Sequence, residues 1–324
     1  MNSFGTKFRL SIFGESHGNS IGVVLDGVPA GITLCEQDFE ADLSRRRAGK
    51  KGTTPRVEPD QPHIVSGVFD GYTTGAPIAI LFNNTNTRSK DYSLFRESPR
   101  PGHADLTASI KHNNYNDIRG GGHFSGRITL CLVAAGVVAK KMLPPAVRIN
   151  AGLVELAGEK AGEGDWGEAL SSAMRDGDSI GGVVECKCMN LPIGLGEPFF
   201  DSVESMIAHL AFAIPGIRGI EFGDGFNASR MRGSEHNDCY INRKGETATN
   251  HAGGVNGGIT NGNPVIFRIA VKPTSSITKG QETFNFISDR VEEFHVPGRH
   301  DACIALRVPV IAESIAAIAF ANLI

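Results

Sequence analysis

The apolar positions of residues 7–13 and 21–26 predict two strands on either side of a glycine-bounded polar turn at 14–18. Thr33-Leu34-Cys35-Glu36 has the capping-box pattern and predicts a helix with Phe39 and Leu43 on one face, ending in a basic block from Arg45. Residues 63–69, alternating apolar and polar, and residues 77–82 predict two further strands. Residues 83–101 are polar without clear periodicity and read as a long loop, of the kind that often binds or covers a ligand. Residues 125–143 form the most hydrophobic helical stretch. Leu130, Val133, Ala134, Val137 and Val138 leave it no polar face, which places it in the centre of the molecule. A strand at 183–189, a helix at 202–214 with Met206, Leu210 and Ala213 on one side, a strand at 263–272 and an apolar helix at 313–323 complete the pattern. Strands come in runs between helices, not in strict β-α-β alternation, which predicts an α+β sandwich over a doubly wound sheet. Residues 157–167, rich in Gly and Glu, are either a linker or a surface hairpin. With no fixed-period repeat, residues 1–324 are taken as one domain.

Composition narrows the class. Of 324 residues, 40% are hydrophobic and 21% charged, as in soluble globular proteins. No run reaches ~18 consecutive apolar residues, so no membrane span is expected. Met1-Asn2-Ser3-Phe4-Gly5 lacks a signal-peptide pattern, and the expectation is a cytoplasmic protein. Six scattered cysteines are expected to be reduced and structural, with Cys186 and Cys188 on opposite faces of a strand. No metal set emerges, because His17, His103, His123, His251 and His300 sit in separate loops without ligand spacing.

The net charge of -3 disfavours a general nucleic-acid binder. Yet Arg45, Arg46, Arg47, Lys50, Lys51 and Arg56 fall in a stretch without Asp or Glu, which must stay solvated or meet anions. A helix C-terminus also favours cations, so part of that block has a structural explanation. Forty glycines, about one residue in eight against an ordinary ~7%, cluster beside His, Arg, Ser and Asn.

Five constellations carry candidate chemistry. In Gly14-Glu15-Ser16-His17-Gly18 a tight turn presents a hydroxyl, a carboxylate and an imidazole suited to proton transfer. Alone it reads equally well as a polar turn with a solvated histidine. Arg100-Pro101-Gly102-His103-Ala104-Asp105 presents a second turn-borne histidine, with Asp105 placed to cap the next helix. Arg119-Gly120-Gly121-Gly122-His123-Phe124-Ser125-Gly126-Arg127 leads into the apolar helix and suits an anion. It half-matches a phosphate-binding P-loop, but Arg127 and Ile128 stand where Lys and Ser or Thr are required, and no apolar strand precedes it. Asn250-His251-Ala252-Gly253-Gly254-Val255-Asn256-Gly257-Gly258 precedes a strand ending in Lys272-Pro273-Thr274-Ser275-Ser276, with donors for a phosphate or a polar ring edge. Gly298-Arg299-His300-Asp301, with Arg307 downstream, offers a carboxylate base and anion clamps. Singly, such loops are more often surface than site. Together they describe a pocket for a ligand with several anionic groups and for a second phosphorylated ligand.

These motifs, with Glu58-Pro59-Asp60-Gln61 and Arg88-Ser89-Lys90-Asp91-Tyr92, resemble the chorismate synthase family nearly end to end. The resemblance implies a β-α-β sandwich with central helices between two antiparallel sheets, and typically a homotetramer. It implies elimination of phosphate from 5-enolpyruvylshikimate 3-phosphate to give chorismate, in the shikimate pathway of aromatic amino-acid biosynthesis, with reduced FMN as cofactor. On this resemblance His17 protonates the departing phosphate, His103 stabilises the reduced flavin, and Asp301 assists the flavin in taking the substrate's proton. Ser16 and Ser125 support these groups, while Arg46, Arg47, Arg127 and Arg307 hold substrate anions. His123, Phe124, Ser125, Gly257, Lys272, Pro273, Thr274, Ser275, Ser276 and Arg299 line the FMN. Two positions depart from the family: His123-Phe124-Ser125 replaces a common Arg-Ser-Ser, and Lys50-Lys51-Gly52 stands where another Arg is usual. No Gly-x-Gly-x-x-Gly fingerprint opens a helix after a strand, which favours a separate flavin reductase over reduction by NADPH on this chain. The competing class is a catalytically silent anion or nucleic-acid binder built on the basic block.

Overall fold

The computed structural model describes residues 1–324 except Val57, Arg88 and Arg299. The Arg299 flavin contact and the motif position Arg88 therefore lie outside the described residues. Two antiparallel five-stranded sheets enclose a layer of helices. The first sheet contains β1 (Ser3–Phe4), β2 (Arg9–Gly14), β3 (Ser20–Asp26), β4 (His63–Ser66) and β5 (Ile78–Asn83), in the order β1-β2-β3-β5-β4. The second contains β6 (Arg148–Leu156), β7 (Glu159–Lys160), β8 (Gly182–Met189), β9 (Ile217–Phe222) and β10 (Val265–Val271), in the order β9-β10-β8-β6-β7. The seven helices used below are α1 (Glu40–Arg46), α2 (Asp105–Lys111), α3 (Thr129–Met142), α4 (Trp166–Arg175), α5 (Val203–Phe212), a short α6 (Gly233–His236) and α7 (Val308–Leu323).

α3 packs on β3 and on α7, and α7 packs on β6 and β8, so these two helices are the filling of the sandwich. Both are enclosed on every face: residues 129–139, 308 and 310–322 are all buried. An element hydrophobic all round has no solvent face to offer and must be enclosed. Gly136 sets how closely the two approach, because a Cβ there would lie 2.4 Å from that of Ser314. By length and composition Ile304–Leu323 passes for a membrane span, but 78% of that window is buried inside the protein. It is a core helix. Ile315, Ile318 and Phe320 have no exposed surface, and each such side chain stabilises the fold by about 1.5–3 kcal/mol on leaving water.

Several expectations need correction. The capping box begins at Cys35, whose N–H donates to Asp38 Oδ2 (2.8 Å), and not at Thr33, which bridges to Tyr72. Glu36 instead accepts from Ile64 N–H across to β4 (3.1 Å). The polar stretch 83–101 is not wholly loop, since Ser89–Arg96 turns as a 3-10 helix. The last helix starts at Val308 rather than 313, because Pro309 sits in its first turn, where a missing N–H is harmless. Residues 157–167 include the turn of the β6–β7 hairpin. Cys186 and Cys188 share one face: residues two apart on a strand point the same way, and both thiols are buried.

Candidate active site

A cleft of about 730 Å³ opens between the sandwich and its connecting loops. One half is apolar, lined by Phe4, Leu10, Ile12, Leu132 and Leu210, and the other carries nearly all the candidate chemistry. The polar half is built from turns. β2 ends at Gly14, and the following turn buries Ser16 and His17. Residues Gly120-Gly121-Gly122 all have positive φ and arch over that turn. A Cβ on Gly120 would lie 2.7 Å from His17 Nε2, and one on Gly121 would lie 3.4 Å from His103 Nε2. Consecutive glycines thus face the two candidate histidines. The triple-glycine arch reads from sequence as an anion loop; in the structure it also leaves room for the His17 imidazole.

His17 is 7% exposed and packs edge-on against Tyr92, with ring centroids 4.9 Å apart. Burial, reinforced by the Arg56 and Arg119 cations, pushes its pKa down to about 4. It is therefore neutral near pH 7 when no anion is beside it. Arg56 donates to Ser16 Oγ and to Ser16 O (3.1 Å each) and to Glu58 Oε1 (2.7 Å). Burial opposes ionisation of Glu58, but donation from Thr85 N–H and from Arg56 holds its carboxyl down at about 2. Asn84 joins the same region: its amide donates to Gly18 O (2.8 Å), and its oxygen accepts from Arg127 Nε (2.6 Å).

The arginines divide sharply. Arg46 is fully buried and donates to Thr129 Oγ1, Gly126 O and Arg127 O. Burial and the nearby Arg307 push its pKa down to about 9. Its Nη1 makes no hydrogen bond and lies 3.6 Å from Asp60 Oδ2. Arg127 donates to Asp60 Oδ1 (2.8 Å), while its buried Nη2 makes none. Buried N–H groups without acceptors are costly, and Arg47 Nε is a third such group. Arg307 donates to Arg46 O (2.8 Å) and lies 3.5 Å from Asp301, whose carboxylate also accepts from Thr54 N–H (2.9 Å). Arg47 does not reach the cleft. It is half-buried and forms a two-pronged pair with Glu40 (2.6 and 2.8 Å).

The family profile described as chorismate synthase matches residues 8–324. The chain belongs to the chorismate synthase family. A chorismate synthase of Chitinophaga pinensis is 62% identical over 322 residues, covering 99% of this chain and 96% of the relative. One of Korarchaeum cryptofilum is 44% identical over 347 residues, covering 98% and 96%. A crystal structure of chorismate synthase superposes with a TM-score of 0.75 at 25% identity, covering 99% of this chain and 92% of that one. The chain is accordingly a lyase with the family's sandwich fold.

Among the residues that the chorismate synthase resemblance implicates, Ser16, Arg46, His103, His123, Phe124, Ser125, Arg127, Lys272, Pro273, Thr274, Ser275, Ser276, Asp301 and Arg307 line the cleft. His17 lies behind Gly120, against the arch. His123 is tied by Nδ1 to Gly14 O (2.7 Å), and Ser125 Oγ accepts from Arg127 N–H (3.3 Å). Gly257 is not brought there; it turns between Val255–Asn256 and Ile259–Thr260, outside the cleft lining. Lys51 points to Ser171 on α4, away from the cleft (2.7 Å). Sequence reasoning gave no site role to Arg56, Asn84 or Arg100, and the role of Asp105 was misassigned. Ala104 is the helix N-cap, and the Asp105 carboxylate turns back to Arg100 and His103. For Arg100 and Asp105 the available signal was their place beside His103 in sequence; Arg56 and Asn84 stand far from both histidines along the chain.

Proposed function

We propose that this chain eliminates phosphate from 5-enolpyruvylshikimate 3-phosphate to form chorismate, with reduced FMN bound in the same cleft. The observation that carries the reading is the convergence of two histidines with two buried guanidiniums, each keeping an unpaired N–H beside the cleft. Arg46 and Arg127 supply fixed donors where negative charge must be held as the C–O bond breaks. His17, neutral when no anion is beside it, regains proton affinity when an anion offsets Arg56 and Arg119, and then protonates the leaving phosphate. Asp301, steadied by Thr54 and Arg307, takes the acid–base role on the opposite side.

The residues fit a flavin. The segments 123–125 and 272–276 form one wall, and the buried Thr274 Oγ1 is without a hydrogen-bond partner, as suits the polar edge of a ring system. Reduced FMN would lend electron density to bond cleavage and recover it, with no net redox change. The reading includes a place in aromatic amino-acid biosynthesis, a cytoplasmic homotetramer and a separate flavin reductase in place of NADPH-dependent reduction on the chain. All six cysteines are free, in keeping with a reducing compartment. Anaerobic incubation with dithionite-reduced FMN and the phosphorylated substrate should give chorismate, read by its near-ultraviolet absorbance. A folded, FMN-saturated sample that forms none overturns the proposal. Repeating the assay with NADPH in place of dithionite tests for reduction on the chain.

A further inference from the structure

We propose that Asp105 is the positioning residue of His103: it fixes the proton on Nδ1 and so presents Nε2 to the cleft as a proton acceptor. Asp105 is 4% exposed, and its carboxylate meets four donor contacts. Oδ1 lies 2.7 Å from Arg100 Nη2 and 2.7 Å from His103 Nδ1. Oδ2 accepts from Arg100 Nε (2.7 Å) and from Arg100 N–H (3.1 Å). Arg100 is itself buried, donates its Nη1 to Ser276 Oγ (2.9 Å), and stacks over the Phe95 ring at 4.1 Å. A planar guanidinium clamped in this way leaves the carboxylate one orientation.

The tautomer follows from the geometry. Arg100 Nη2 also lies 3.1 Å from His103 Nδ1, so two assignments compete. If Nδ1 carried no proton, two acceptor atoms, Nδ1 and the Asp105 oxygen, would sit 2.7 Å apart in a buried site, a repulsive contact. With the proton on Nδ1 the same close contact is attractive, the ring N–H meeting a carboxylate oxygen, and Arg100 directs its own N–H to Oδ1. Burial would raise the Asp105 carboxyl, but the hydrogen bonds from Arg100 and His103 outweigh it and keep the group ionised. Nε2 of the neutral ring then carries a lone pair, on a side chain that lines the cleft, with Gly121 beside it. Neutral His103 thus accepts a proton at Nε2; it donates there only as the imidazolium.

The inference rests on the proposed function for its catalytic consequence, but not for the tautomer itself. Nitrogen-15 NMR of the full chain labelled at histidine should show His103 protonated at Nδ1 when neutral. In Asp105→Asn, whose amide can donate to Nδ1, the proton should move to Nε2. Asp105→Glu should keep the wild-type tautomer. With reduced FMN and substrate, Asp105→Asn should lose about tenfold to hundredfold in kcat while KM changes little, as for removal of a histidine's orienting carboxylate. Wild-type His103 protonated at Nε2 overturns the inference even if the Asn variant fails to fold. So does a folded Asn variant with an unchanged tautomer. If the tautomer switches as described and the wild type forms no chorismate, the positioning stands and the functional reading fails.

Discussion

Replacing Gly120 by alanine tests whether the glycine arch exists to make room for His17. Gly120 has φ +60, and a Cβ there would lie 2.5 Å from His17 Cδ2, 2.7 Å from Nε2 and 2.7 Å from Ser16 Oγ. A left-handed backbone costs an alanine about 1–2 kcal/mol wherever it occurs. The contact adds about 1–3 kcal/mol, because His17 is packed against Tyr92 and cannot retreat without moving it. Gly158 supplies the control: its φ is +87, and nothing lies within 4 Å of an added Cβ. Gly158→Ala carries the backbone strain alone. Thermal unfolding should therefore place Gly120→Ala several degrees below Gly158→Ala, at about 2 °C per kcal/mol for a chain of this size. Anaerobic turnover with reduced FMN should fall about a hundredfold in Gly120→Ala, the effect of displacing a catalytic group by about 1 Å, and be unchanged in Gly158→Ala. Equal melting temperatures, or full turnover in Gly120→Ala, would refute the reasoning.

Four further outcomes follow from the side-chain contacts described above. His17 has its pKa lowered from 6.5 to about 4, so the unfolded chain takes up the proton first as pH falls below 6.5 and native stability drops toward pH 4. Urea midpoints between about pH 7 and about pH 4.5 should fall less steeply in His17→Gln than in wild type, and parallel slopes would contradict this. Arg46→Lys should raise KM for the phosphorylated substrate strongly, since it loses the donors to Thr129, Gly126 and Arg127. Arg47→Ala, which loses only its partly exposed pair with Glu40, should stay within about twofold in kcat/KM. Glu313 is buried in α7 and accepts from Arg45 (2.6 and 2.7 Å), Lys140 (3.1 Å) and Ala151 N–H (3.0 Å). Glu313→Gln removes the buried carboxylate, while the partly exposed Arg45 and Lys140 keep Asp42, and should cost about 1–3 kcal/mol, measured by denaturant unfolding.

Much of this protein is local and therefore legible in its residues. The two central helices announce themselves because no face of residues 129–139 or of the C-terminal apolar helix could meet water. The glycine-bounded turns at 14–18 and 120–122 are legible for a similar reason, since few residue types permit those backbone angles, and their ordered motifs carry the family resemblance. What tertiary structure decided is which side chain goes where. Arg46 and Arg47 are neighbours with the same charge, yet about 100° of helix rotation separates burial beside the cleft from a surface pair with Glu40. Asp105 fits the pattern of a helix cap, but its carboxylate turns back to Arg100 and His103, because the Arg100 guanidinium in a dry site binds it more strongly than an N–H of the helix's first turn. Gly257 shares its glycine-rich motif with no cleft residue once the strands around it pair. Periodicity and turn chemistry determined the elements; burial and charge pairing, which depend on partners far away in the chain, determined the site.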